Sequence, residues 1–190
     1  MPSPPVEMES PLWRFSLAVY RGAGVQEECL DVQERFGIDV NLLMLCAYAG
    51  AVEGAVLSAS DIADALEASG AWHANAVKTL RQVRRTLKLK PWGSGEGPFS
   101  RVVEALRTKV KGAELEAEQI EQAMMWAWLR DQAGQWRRRE PRQALIANVF
   151  ALLVRCGATG AQADPQQALP QFCAAALKSG ARDRLTGTGS

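Results

Sequence analysis

The side chains best placed for chemistry fall into two charged stripes. From Ala71 to about Lys88, at about 100° per residue, Lys78, Arg81, Arg85 and Lys88 share one helical face with Arg84 at its edge. Trp72, Ala76, Leu80, Val83 and Leu87 make the apolar face of the same segment. Further on, Glu114, Glu118 and Glu121 form an acidic stripe beside Ala113, Ala117, Ile120 and Met124. Guanidinium forks suit carboxylate and phosphate alike, so the basic stripe has two uses: an internal seam with the acidic stripe, or a grip on an anionic partner. Each charged stripe lies on the same rotational side of its apolar stripe, so antiparallel packing brings the two together. The expected geometry puts Arg81 or Arg85 within ion-pair reach of Glu114, Glu118 or Glu121. Exposed pairs contribute only about 0.2–1 kcal/mol each, so such a seam orients more than it stabilises.

A second constellation is Gln33, Asp39, Asn41 and Arg81, which around one pocket would hold a small anionic ligand through the arginine. Asp39 is also explained as a helix cap. Asn41, set among leucines, needs a buried hydrogen-bond partner or a cleft; it is the best single polar candidate, and a bond to a neighbouring helix is the favoured reading. His73 is the one histidine and reads as an ordinary helix-surface residue, since catalysis would require a nearby Cys or Ser and an orienting partner. A single histidine with no Cys-x-x-Cys argues against zinc and against a carboxylate-bridged di-iron site. No catalytic residue, metal or cofactor is expected. Asp61-x-x-Asp64 reads as a solvated face, and Gly93 to Gly97 as a linker rather than a phosphate loop, because no strand precedes it and no Lys-Ser/Thr pair follows. Trp136 to Arg139 with Arg142 could stack and neutralise single-stranded nucleic acid, but Glu140 and Pro141 interrupt the cluster. Met124, Met125, Trp126 and Trp128 are expected in core packing.

The elements that position these groups read as helices throughout. Ser10-Pro11 opens the first, which ends near Gly22, and Phe36-Gly37 closes a second with a narrow apolar stripe. Asp39 caps a third, apolar nearly all round at Val40 to Cys46, which belongs at the centre of the core and ends at Gly50 and Gly54. Ser60 or Asp61 caps a short helix to Ala68, broken by Ser69-Gly70 before the long basic helix. Pro91 to Pro98 is a turn-rich linker. Helices follow near Phe99–Lys111, Ala113–Gln135, Arg142–Arg155 and Pro165–Lys178. No segment reads as a strand. The fold class is therefore all-α, a single compact irregular or orthogonal bundle of about eight helices. The expected organisation is a tail at 1–9, a core at 10–125, an extension at 126–180 packed on it, and a tail at 181–190. With 22 Lys and Arg against 21 Asp and Glu, the chain has no global field to gather nucleic acid, and nucleic acid is not expected as a partner. The longest apolar stretches fall short of the roughly 20 residues needed to span a bilayer, so no membrane is expected. Scattered cysteines and an N-terminus without secretory character point to the cytoplasm.

Five ordered blocks carry a resemblance: Val19-Tyr20; Gly24-Val25-Gln26, Cys29-Leu30 and Gln33; Asp39 to Leu43; Leu80-Arg81, Arg84-Arg85 and Leu87-Lys88; and Glu114 to Glu118. Together, over roughly residues 12–125, they resemble a small bacterial family, a conserved domain of unknown function. Glu34 and Ala47-Tyr48 depart from it, where aspartate and tryptophan are expected. The resemblance implies no activity. The reading that remains is a non-enzymatic helical module binding a protein partner; the alternatives are the anionic-ligand pocket and local basic patches for nucleic acid.

Overall fold

A computed structural model describes residues 6–89 and 99–187. The linker read at Pro91 to Pro98 lies outside the described residues. The first three helices start and stop where their caps dictate. In α1 (Pro11–Tyr20) the Ser10 hydroxyl accepts from the Trp13 amide at 3.1 Å, and α2 (Val25–Phe36) ends on Gly37 in the left-handed conformation that glycine adopts at least cost. Asp39 accepts from the Asn41 amide at 2.9 Å to open α3 (Val40–Ala51), and every residue from Asn41 to Ala51 is buried. Being apolar on all sides, α3 is packed on all sides, chiefly by α7 (Pro141–Arg155) and also by α1 and α9 (Pro170–Gly187).

Several boundaries differ from those read along the chain. Gly50 does not end α3: it lies within the helix, where the backbone of Leu145 comes so close that a Cβ would sit 2.4 Å from it. The next helix, α4 (Ala59–Trp72), opens on Ser58 rather than Ser60. Its hydroxyl accepts from the Asp61 amide at 3.2 Å and Asp61 accepts from the Ser58 amide at 2.7 Å, a reciprocal capping box. Ser69-Gly70 does not break α4, which continues through a π-helical turn (His73–Val77) into α5 (Lys78–Thr86). The two helices read on either side of Gly112 are one, α6 (Ser100–Asp131), because a glycine costs only about 1 kcal/mol inside a helix. After α7 come a short α8 (Pro165–Ala168) and α9, which runs on through Gly187 into the segment read as a tail. Glu28 of α2 accepts from the amides of Gln171 and Phe172, satisfying two donors at the start of α9.

The all-α expectation holds, with one addition. Residues Ala55–Val56 (β1) and Arg137–Arg138 (β2) pair antiparallel, Ala55 opposite Arg138. Two-residue strands carry no alternation for a sequence to display; the pairing is imposed by the helices around it. Among the described residues no helix is long and apolar enough to cross a membrane.

The chain divides into two compact units, residues 1–68 with 122–190, and residues 69–121. These do not coincide with the boundary read at 125 and 126. In the first unit α7 and α9 complete the core around α3, where Phe15, Leu45, Met125, Leu145, Leu152 and Phe172 are fully buried. A helix apolar all round, as α3 is, needs partners on every face, and the earlier segments do not supply enough of them. The second unit comprises the end of α4, the π turn, α5 and α6 up to Glu121. Beside Val77 and Ala117, its buried residues include Ser69, His73, Glu114 and Glu121.

Candidate functional site

The second unit brings the two stripes together. Arg81 Nε donates to Glu114 Oε1 at 3.1 Å and Arg81 Nη2 to Glu118 Oε1 at 2.7 Å. Arg84 also forks onto Glu114, with Nη2 to Oε1 at 3.1 Å and a second, shorter bond from Nε to Oε2. Trp72 donates its indole N–H to the Ala117 carbonyl at 2.9 Å, and His73 Nδ1 lies 2.8 Å from Glu121 Oε1. From His73 through Arg81 to Arg84 the partners descend from Glu121 through Glu118 to Glu114, so the segments run antiparallel. Arg84, placed at the stripe's edge by helical rotation, is a main participant, whereas Lys78, Arg85 and Lys88 are exposed and in no ion pair among the described residues.

The two carboxylates of the seam are tuned in opposite directions. Burial disfavours the Glu114 carboxylate, but bonds from Arg84 and Arg81 outweigh it and hold its pKa below the usual 4.5. Burial dominates at Glu118 and raises its pKa despite Arg81. A lowered pKa contributes stability that is complete above the unfolded value and is lost as pH falls through the folded value; a raised one contributes only below the unfolded value and is lost as pH rises through the folded value. Glu114→Gln is therefore expected to destabilise the protein at neutral pH by about 1–2 kcal/mol and to flatten its acid limb. Glu118→Gln should cost less than about 0.5 kcal/mol. Urea unfolding of both variants over about pH 3 to 7 measures the difference.

His73 is a correction to the sequence reading: it is buried rather than on the surface, with Glu121 beside it. It is the first residue of the π turn. Asn75 Nδ2 donates at 2.8 Å to the Ala71 carbonyl, the acceptor an ordinary turn gives to the Asn75 amide, and the ladder widens so that the Lys78 amide reaches the His73 carbonyl. Sequence reasoning weighed Glu121 with the acidic stripe and His73 alone. The signal that joins them is positional: an imidazole at the start of one segment and a carboxylate near the end of the antiparallel other. The two residues are 8% and 0% exposed, within ion-pair distance of each other.

The second constellation is distributed. Gln33 is half-buried on α2, where its carbonyl accepts from the Gly37 amide at 3.0 Å. Asp39 caps α3. Asn41 is buried and accepts from Gln122 Nε2 at 2.9 Å, and Gln122 Oε1 accepts from Ser16 at 2.8 Å, a relay linking α3, α6 and α1. Arg81 belongs to the other unit and is held by its two glutamates. A small pocket of about 60 Å³ does exist in the first unit, but Trp126, Leu129, Trp136, Glu53, Arg130 and Arg138 line it, and none of the four candidates does. Both tryptophans are engaged, Trp126 with Tyr48 and Glu7, and Trp136 with Trp128, which commits the aromatic part of the Trp136–Arg139 cluster to packing. The four cysteines are free thiols, and burial pushes Cys29, Cys46 and Cys173 up to about 12, leaving them protonated and poor nucleophiles at neutral pH.

The family described as "Protein of unknown function (DUF2390)" matches residues 11–125. The chain belongs to that family. The resemblance carried by the five blocks is thereby borne out, with nearly the same limits. No curated protein and no solved structure matches the chain. The DUF2390 span takes in α1 to α5 and most of α6, and so contains the whole 69–121 unit with its seam. It stops short of α7, α8 and α9. The family brings with it no activity, ligand or partner.

Proposed function

We propose that this DUF2390 protein is a non-enzymatic cytoplasmic module that binds another protein through an exposed helical face of its 69–121 unit. One observation carries the reading: of the twelve large hydrophobic side chains exposed among the described residues, Val83, Leu89, Phe99, Val102, Leu106 and Leu115 lie on this unit, although it holds little more than a quarter of the chain. Single exposed apolar residues are ordinary, but Phe99, Val102 and Leu106 recur at spacings of three and four and so share one face, as an interaction surface requires. The seam supports the same reading against the anionic-ligand alternative, because Arg81 and Arg84, its half-buried cations, are already engaged by Glu114 and Glu118.

The test is affinity purification from the native cell with tagged wild-type protein and the Val102→Glu/Leu106→Glu variant, whose fold is checked by thermal melting. Wild type is expected to retain a stoichiometric protein partner that the variant loses by about thirtyfold or more, the effect of removing a hot-spot side chain. Identical partners for both proteins, or a retained small molecule with no protein, would overturn the proposal.

A further inference from the structure

The near-neutral total of this chain conceals an asymmetry. Residues 69–121 contain ten Lys and Arg against six Glu, a net charge of +4, while the rest contain twelve against fifteen Asp and Glu, a net of −3. Pairing does not remove this imbalance, because each glutamate that is held takes an arginine with it. Glu114 and Glu118 are held by Arg81 and Arg84, Glu121 is buried against His73, and Glu104 is held at 2.7 Å by Arg107. Glu96 and Lys90 lie outside the described residues; among those described, that leaves Glu116 as the exposed carboxylate outside an ion pair, against Lys78, Arg85, Lys88, Arg101, Lys109 and Lys111, all exposed and in no ion pair.

The apolar face sits within this positive field. Phe99, Val102 and Leu106 are 69%, 68% and 50% exposed, at spacings of three and four, so they form one line along the first turns of α6. Lys109 prolongs the line, three residues after Leu106 and seven after Val102. Arg107 borders it on the other side, four residues after the half-buried Val103 and three before the half-buried Val110.

We infer that the partner segment docked on this face is an acidic amphipathic helix, with apolar anchors at i, i+3 or i+4, and i+7 and with Asp or Glu on its flanks. This rests on the protein-binding reading above and names the chemistry of the partner. The anchors cover Phe99, Val102 and Leu106, and the acidic flanks meet Lys109 and the surrounding field of unpaired cations. Nucleic acid would neutralise the cations but leave the three apolar side chains wet. An anionic bilayer would meet Glu104 and Glu116 on the same helix, whereas a helical partner pairs with the cations singly.

The probes are three: a labelled three-heptad peptide with leucines on one face and glutamates on its flanks, the same peptide with lysine flanks, and phosphatidylglycerol vesicles. Each is mixed with the full chain, with peptide binding read by fluorescence anisotropy and vesicle binding by co-sedimentation. The acidic peptide is expected to bind at least tenfold more tightly than the lysine peptide and to weaken as salt is raised. Leu106→Ala should weaken it about tenfold, and Lys109→Glu about fivefold while improving the lysine peptide, each with an unchanged thermal melt. Equal binding of both peptides, binding of neither, or preference for the vesicles would overturn the inference. If the acidic peptide fails while Val102→Glu/Leu106→Glu still abolishes retention of the cellular partner, the acidic chemistry falls and the docking face survives. If both fail, the face itself is wrong.

Discussion

Gly50→Ala is expected to lower the stability of the protein by about 3 kcal/mol, seen as a fall in the urea midpoint without a change of slope. The added methyl would lie 2.4 Å from both the Leu145 amide nitrogen and its Cα, and 2.8 Å from the Ala144 carbonyl carbon. These are backbone atoms of α7, so no rotamer change relieves the clash, and the helices must separate along the most extensive contact in the core. Gly112→Ala is the matched control. Nothing lies within 4 Å of its added Cβ, it is exposed in the middle of α6, and it should stabilise by about 0.5–1 kcal/mol through helix propensity alone. Equal effects at the two positions would contradict the close packing of α3 on α7.

A loss of about 3–5 kcal/mol is expected for Asn148→Leu, a change that keeps approximate volume and removes only polarity. Asn148 is fully buried on α7, accepts from the Leu57 amide at 2.8 Å and donates to the carbonyls of Cys46 and Ala55 at 3.1 and 2.9 Å. Leucine removes all three hydrogen bonds, each worth about 0.5–1.5 kcal/mol net, and strands the buried Leu57 amide at a further cost of about 1–3 kcal/mol. Hydrogen exchange gives an independent readout, since the Leu57 amide should lose its protection while amides in the middle of α6 keep theirs. Retained protection at Leu57 would show that Asn148 does not hold the chain where α3 gives way to β1.

The seam shows how far helical periodicity reaches. Rotation at 100° per residue placed Arg81 opposite acidic partners, yet gave Arg84 only an edge position, because side-chain reach rather than Cα angle decides which guanidinium touches Glu114. Arg85 points from the same stripe into solvent. His73 was illegible for a related reason: the carboxylate beside it, Glu121, lies on a later helix, and no local periodicity joins the two. Asn41 was legible as a buried amide needing a partner, but its partner, Gln122, lies 81 residues on, at a distance no local pattern spans.

Legible in the residues alone were the helical class, the caps at Ser10 and Asp39, the central place of α3 and the family of the chain, since each depends on neighbours within a turn or two or on ordered short motifs. Only the tertiary structure decided that Gly50 is a crossing point instead of a terminus, that Gly112 and Ser69-Gly70 interrupt nothing, that Ala55 pairs with Arg138, and that α7 and α9 complete the core. A glycine's local penalty is about 1 kcal/mol whether it ends a helix or admits a neighbour, so its role is set by what packs against it. The charge asymmetry between the two units follows the same logic: the residues are written in the sequence, but which of them share a surface depends on where the chain divides.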